Sequence, residues 1–207
     1  MATKRSAQIR KVDSAFLNVP YDAEFNNLYL AYIAGVSAFG LVPRAAIEIP
    51  GGERRLDRVL SLLTKCRYSF HDLSRVELDR RPPPTPRFNM PFELGLAVAW
   101  SKMGPAAGHT WFVFETRNRR LHKSLSDLDG TDIYIHDGSP EGVLRELGNA
   151  LLRTDRQPTL IQLQAVFIDL KRACPTLRRN RGSRSLFTPA IFKDLVVLAR
   201  KFCEIRL

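Results

Sequence analysis

Apolar runs of strand length alternate with longer helical patterns over most of the chain. Ala15-Phe16-Leu17-Asn18-Val19 is a short apolar run stopped by Pro20, which predicts a strand. Asp22 then stands where it caps a helix from Ala23 to Phe39, with Gly40 as the C-terminal stop. Leu41 to Ile49 predicts a second strand, restricted at its start by Pro43, and Pro50-Gly51-Gly52 a turn. Leu56, Val59, Leu60 and Leu63 mark the inward face of an amphipathic helix. Tyr68 to Asp72, Thr110 to Phe114 and Thr131 to Ile135 predict three further strands. Ser139-Pro140 opens a helix running to about Leu152, with Leu144, Leu147 and Leu151 inward. Strands alternating with helices imply right-handed βαβ units and a parallel sheet of about five strands flanked by helices.

Between the third and fourth strands lies the most distinctive stretch, Arg87 to Trp100. Ser74 to Phe88 is a long Pro-rich connection, and loops of that length are often lids or binding segments. Asn89 is a suitable N-cap, and Pro91 fits a first turn without losing a hydrogen bond. Leu94 to Trp100 is apolar all round, which predicts a helix sandwiched inside the protein and ending near Gly104-Pro105. Glu93 falls in the first turn of that helix, where the dipole alone accounts for a carboxylate. Gly95 beside it suggests the close approach of a ligand or another backbone.

After Leu152 the pattern changes. Thr159 with Gln162 forms a capping box ahead of a stripe of Leu163, Val166, Phe167, Leu170 and Cys174. Arg178 to Arg184 reads as a basic turn, and Thr188-Pro189 opens a final helix with Leu195, Val196, Leu198, Ala199 and Phe202. The expectation is a domain over residues 1–152, beginning at Met1 to Val12 with a polar, basic stretch that is either a loose arm or a short edge element. A two-helix C-terminal appendage over 153–207 completes the chain. The net charge of +11 is concentrated there, with 12 Lys/Arg against 4 Asp/Glu in residues 153–207. Such a tail is either a solvated face or a contact for nucleic acid or a protein partner through Arg178–Arg184.

Composition narrows the class. Hydrophobic content of 44% supports a real core. No apolar run approaches a membrane span, and the N-terminus lacks a signal-peptide segment. Three cysteines without metal-ligand spacing, Cys66, Cys174 and Cys203, point to reduced thiols and a cytoplasmic protein. The four histidines show no metal pattern, and strand alternation turns His71 to the face opposite Asp72.

Open parallel sheets bind ligands beyond the carboxyl ends of their strands. Asn18, Tyr21, Asp72, Glu115, His136 and Asp137 all fall at or just after predicted strand ends, and the Glu93 helix leaves the same edge. Arg44, Arg87 and Arg117 are either surface residues or holders of phosphate, which arginine grips in bidentate fashion.

Asp72-Leu73-Ser74, followed by Asn89-Met90-Pro91-Phe92-Glu93-Leu94-Gly95-Leu96-Ala97, resembles the paired signature of nucleoside 2-deoxyribosyltransferases and the related bacterial Toll/interleukin-1-receptor-like nucleotide-binding domains. Phe16-Leu17-Asn18-Val19-Pro20-Tyr21-Asp22 is similar to that group's first strand and turn. The resemblance covers roughly residues 13–152. It implies a flavodoxin-like sheet and cleavage or exchange of the N-glycosidic bond of a nucleoside, nucleotide or NAD. No separate cofactor is implied, since NAD or the nucleotide is itself substrate or ligand. Glu93 and Asp72 take the catalytic places. Asn18, Tyr21, Asp22, Arg44, Ser74, Arg87, Asn89, Glu115 and His136 are the candidate binding residues. Arg87 stands six residues before Glu93, where the transferases often carry aspartate, so hydrolysis or plain binding is favoured over deoxyribosyl transfer.

The chemistry suits those residues. Breaking a glycosidic bond builds positive charge at the anomeric carbon, which a carboxylate stabilises or traps. Glu93, kept ionised by a helix N-terminus, fits that role, whereas Asp72 either protonates the leaving base or binds a ribose hydroxyl. Three readings follow: a nucleotide or NAD glycosidase, as in antiviral or toxin-like effectors; a non-catalytic nucleotide-signal module that controls assembly, such as homo-oligomerisation; and nucleic-acid binding by the tail.

Overall fold

The computed structural model describes residues 13–49, 52–76, 78–79, 82–103, 108–153 and 155–207. The N-terminal arm, Pro50-Gly51 and the helix end at Gly104-Pro105 lie outside them. Five parallel strands form the sheet: β1 (Ser14–Asn18), β2 (Val42–Arg44), β3 (Tyr68–Asp72), β6 (Thr110–Glu115) and β7 (Ile133–Ile135). Their order is β2-β1-β3-β6-β7, the flavodoxin-like arrangement, with register from Ala15 opposite Tyr68 to Asp72 opposite Phe114. The long connection holds a small antiparallel pair, β4 (Leu78–Asp79) with β5 (Thr85–Pro86). The second strand is shorter than predicted because Pro43 removes a ladder donor and Ala46–Glu48 turns into a 3-10 helix.

Helices cover both faces. On one lie α1 (Asn26–Ala38) and α5 (Pro140–Ala150); on the other, α2 (Arg55–Lys65) and α3 (Asn89–Met103). A single turn, α4 (Arg120–Ser124), follows β6. The predicted helix from Ala23 begins as a 3-10 turn, capped as expected by the Asp22 carboxylate accepting from Phe25 N at 3.0 Å. Gly40 ends α1 with φ +75°, a conformation an L side chain resists.

The period-two alternation of the strands divides the interior. Ala15, Leu17, Phe70 and Phe114 face α1, whereas Phe16 and Val113 face α2 and α3. Every residue of α1 from Leu28 to Ala38 is buried. The reason is the tail: α6 (Leu160–Asn180) and α7 (Pro189–Arg206) lie against α1 and continue its hydrophobic core through Leu163, Val166, Leu170, Phe192, Leu195 and Ala199. The boundary near residue 152 therefore separates two kinds of secondary structure but not two cores. The capping box at Thr159 and the cap at Thr188 are present. Arg178 to Asn180 still belong to α6, so the basic turn begins only at Arg181.

Two sequence expectations about helix faces are overturned. Val59, Leu62 and Leu63 are the buried residues of α2, and Leu56 and Leu60 are more than 40% exposed, because the face toward the sheet is rotated from the predicted one. The apolar helix α3 is not sandwiched. Only Met90, Glu93, Leu94 and Ala97 are buried on it, and Phe92 is 57% exposed, since nothing corresponding to the tail covers its outer side among the described residues. Among those residues, no helix is long and apolar enough to cross a membrane.

Candidate functional site

Alternation along β3 separates the two predicted catalytic carboxylates. Asp72 shares the α1 side of the sheet with Phe70, and Tyr32 of α1 donates its hydroxyl to Asp72 Oδ2 at 2.7 Å. Ser74 N donates to Oδ1 at 2.9 Å. His136 Nε2 lies 3.1 Å from Oδ2, off the line of an aligned hydrogen bond, as an ion-pair contact. Asp72 and His136 are both fully buried. Burial works to raise the Asp72 pKa, but His136, Ser74 and Tyr32 outweigh it and hold the carboxyl below its ordinary value. Burial likewise opposes charge on His136, and the Asp72 carboxylate more than offsets it, so the ring's pKa is raised. Asp72 is thus a sealed hub tying α1, β3 and the β7 end together. It lines neither of the two clefts at the strand ends.

Glu93 lies on the opposite face. Helix α3 begins at Asn89 itself, so Asn89 is a helical residue rather than the cap, and Glu93 falls in the second turn. That places it beyond the strongest dipole field. Burial raises its pKa, and Arg55 only partly counteracts this, contrary to the expectation of a carboxylate kept ionised by the helix end. Arg55 Nε and Nη2 each approach Glu93 Oε1 to 3.1 Å. Among the described residues no atom lies within 4 Å of a Cβ added at Gly95, which is exposed, so it marks no close approach there.

Around Arg55 a small polar cleft of about 120 Å³ opens, lined by Val19, Pro20, Tyr21, Arg55, Arg75, Arg87, Asn89 and Met90. The Arg55 guanidinium also stands over the Tyr21 ring, 6.0 Å from its centroid. Arg87 Nη1 and Arg75 Nε lie 3.3 and 3.6 Å from Asp22 Oδ2. Three guanidiniums from three different segments thus meet at one place: the start of α2, the turn after β3, and the turn before α3. The sequence reading found Tyr21, Asp22, Arg87 and Asn89 here but missed Arg55 and Arg75. A signal existed for Arg55, because Arg54-Arg55 opens a helix where the dipole disfavours cations.

On the α1 side a second cleft of about 300 Å³ is lined by Glu24, Phe25, Leu28, Ser74, Arg75, Thr116, Arg117 and Gly138. Arg75 belongs to both clefts, and its Nη2 contacts Glu24 Oε2 at 2.7 Å.

The remaining candidates have structural duties. Glu115 is buried, with Thr116 N donating to it at 2.6 Å and Arg120 at 2.8 Å, so it has no free face toward a ligand. Arg44 pairs with Glu48 and lines neither cleft; it borders a separate apolar groove between β2 and α7. Asp137 is exposed and accepts from Ser139 N and Oγ in the turn before α5.

Asn18 anchors a buried relay that sequence reasoning did not find. Its amide donates to His71 Nδ1 at 2.9 Å; His71 Nε2 meets Ser69 Oγ at 2.9 Å; Ser69 Oγ meets His109 Nε2 at 2.9 Å; and His109 Nδ1 meets the Cys66 carbonyl at 3.0 Å. The amide nitrogen at one end only donates, so His71 Nδ1 accepts and that ring is neutral; the carbonyl at the other end only accepts, so His109 carries a proton on Nδ1. Burial agrees, pushing the His71 pKa down to about 3. Asn18 Nδ2 also lies 3.4 Å from the Met90 carbonyl, which ties the relay to the first turn of α3. His71 therefore points away from Asp72, as alternation predicted. Its partners could be inferred only after β1 and β3 were known to pair.

Among the described residues no group of three or more His, Cys, Asp or Glu side chains is placed to hold a metal ion, and all three cysteines are free and buried. In comparison with known proteins, no family model, no curated protein and no solved structure matches this chain.

Proposed function

We propose that the protein binds a phosphorylated nucleoside at the carboxyl edge of its sheet, with the phosphate in the cleft of Arg55, Arg75 and Arg87. The convergence of these three guanidiniums beside Tyr21 and Asn89 carries the reading. Arginine pairs with phosphate through charge-assisted, often bidentate bonds. The competing ion pairs are easily exchanged: Arg75 and Arg87 are partly exposed, and pairs of that kind contribute about 0–1 kcal/mol. The position beyond the strand ends suits the fold, and the motif resemblance over residues 13–152 points to the same ligand class. Calorimetric titration with AMP and with inorganic phosphate tests it. Both should bind, and Arg87→Ser should weaken both by about tenfold, the equivalent of about 1.4 kcal/mol. Equal affinity in Arg87→Ser and the unaltered protein would refute the placement.

A second reading, cleavage of the N-glycosidic bond, is favoured by one observation. Glu93 is a 5% exposed carboxylate whose partner Arg55 lines the phosphate cleft, so a bound anion competes for that arginine and frees Glu93 toward the ligand. Incubation with NAD and a panel of nucleotides should then release free base, and Glu93→Gln should lower release by orders of magnitude with little change in affinity. Normal release by Glu93→Gln would remove Glu93 from the chemistry.

A further inference from the structure

The phosphate cleft, at about 120 Å³, is too small for a whole nucleotide, since sites for such ligands span about 300–1,000 Å³. The neighbouring cleft is of the missing size, about 300 Å³, and the two share Arg75 as a common wall. The second cleft is also built differently. Phe25 and Leu28 give it an apolar floor, Thr116 and Gly138 a low polar wall, and Ser74 a hydroxyl.

That hydroxyl is the informative group. Ser74 is 7% exposed, and among the described residues its Oγ makes no aligned hydrogen bond, although it lies near enough to the Asp72 carboxylate to help hold that group ionised. Its backbone is fully engaged: the N–H donates to Asp72 Oδ1, and the carbonyl accepts from Arg120 Nη2 at 2.8 Å. The residue is therefore held rigidly by its backbone, with the hydroxyl left free of any aligned bond. A buried hydroxyl without an aligned bond is costly, and a ligand bond would remove that cost.

We infer that the second cleft receives the uncharged ring portion of the phosphorylated ligand, and that Ser74 Oγ hydrogen-bonds that ring. The inference rests on the binding reading above and not on the cleavage reading. Arg75 then lies at the junction of phosphate and ring, exchanging Glu24 and Asp22 for the ligand. A hydroxyl both donates and accepts, so Ser74 matches a sugar hydroxyl or a base nitrogen, and the choice of probe separates the two.

Ser74→Ala is titrated with AMP, ribose 5-phosphate and inorganic phosphate, and its thermal unfolding is followed beside the unaltered protein. AMP should bind about tenfold more weakly, inorganic phosphate should bind as before, and the unfolding midpoint should stay close to that of the unaltered protein. Ribose 5-phosphate losing as much as AMP assigns the sugar to Ser74; ribose 5-phosphate unchanged assigns the base. Undiminished AMP binding in Ser74→Ala, with Arg87→Ser still weakened, would overturn the ring placement and leave the phosphate cleft standing. Failure of the unaltered protein to bind either AMP or phosphate would overturn both.

Discussion

Helices α1 and α3 are alike as sequences and opposite in environment. Both are apolar around most of their circumference, and both lie on the same sheet, on opposite faces. The tail helices α6 and α7 close over α1 and leave it buried from Leu28 to Ala38, while α3 shows Phe92 and Gly95 to solvent. All-round hydrophobicity marks a helix able to be buried twice; whether it is depends on what else the chain supplies. The polar chemistry follows the same division. On the α1 side the buried carboxylate Asp72 is saturated by partners and holds the structure. On the α3 side Glu93 has, among the described residues, a single arginine partner that also belongs to an open cleft.

Removing the two carboxylates should separate these roles most sharply. Asp72→Ala leaves buried Tyr32 and His136 groups facing nothing, and breaking a buried charged contact of this kind costs about 3–5 kcal/mol. Glu93→Gln should cost about 1 kcal/mol or less, because Arg55 is half exposed and regains water. Chemical denaturation of both variants makes the measurement, and equal losses would erase the distinction.

The relay on the α3 side predicts a pH signature. His71 titrates near its usual 6.5 when unfolded but only at about 3 when folded. Above pH 6.5 the ring is neutral in both states and contributes no slope. As pH falls from 6.5 toward about 3, the unfolded chain binds a proton that the folded one refuses. Stability should then drop by up to about 1.4 kcal/mol per pH unit from this group. Burial lowers the His109 pKa as well, which adds to the same trend. Urea unfolding across that range should show a shallower acid slope in His71→Gln.

Glycine substitutions give smaller effects of opposite sign. A Cβ at Gly35 on α1 would lie 2.5 Å from Leu147 Cδ1 and 3.2 Å from Leu144 Cδ2, so Gly35→Ala should destabilise by about 1–3 kcal/mol. Gly95→Ala on α3 adds a methyl into open space and gains helix propensity, stabilising by up to about 1 kcal/mol. Loss of stability in Gly95→Ala would mean that α3 is covered in solution.

These contrasts show what the chain made legible. The five strands, their parallel order of use and most helix caps follow from local patterning, as with Asp22, Thr159 and Thr188. The cover over α1 does not, because the stripes of α6 and α7 show that they bury something without naming it. Tyr21, Asp22, Arg87 and Asn89 were legible as neighbours at this edge because they flank strand and helix ends. Arg55 and Arg75 were not, since their meeting depends on how α2 and the β3 turn approach each other in space. Asp72 and Glu93 looked like partners because both stand at one edge in sequence order. One step of strand alternation put the sheet between them.

The most direct test of the account is a crystal structure of the protein with AMP. The account predicts phosphate oxygens within hydrogen-bond reach of Arg87 and Arg75, the Asp22 and Glu24 ion pairs broken, and the ring beside Ser74. Phosphate bound instead along Arg178–Arg184, with the Arg75 and Arg87 pairs intact, would contradict it.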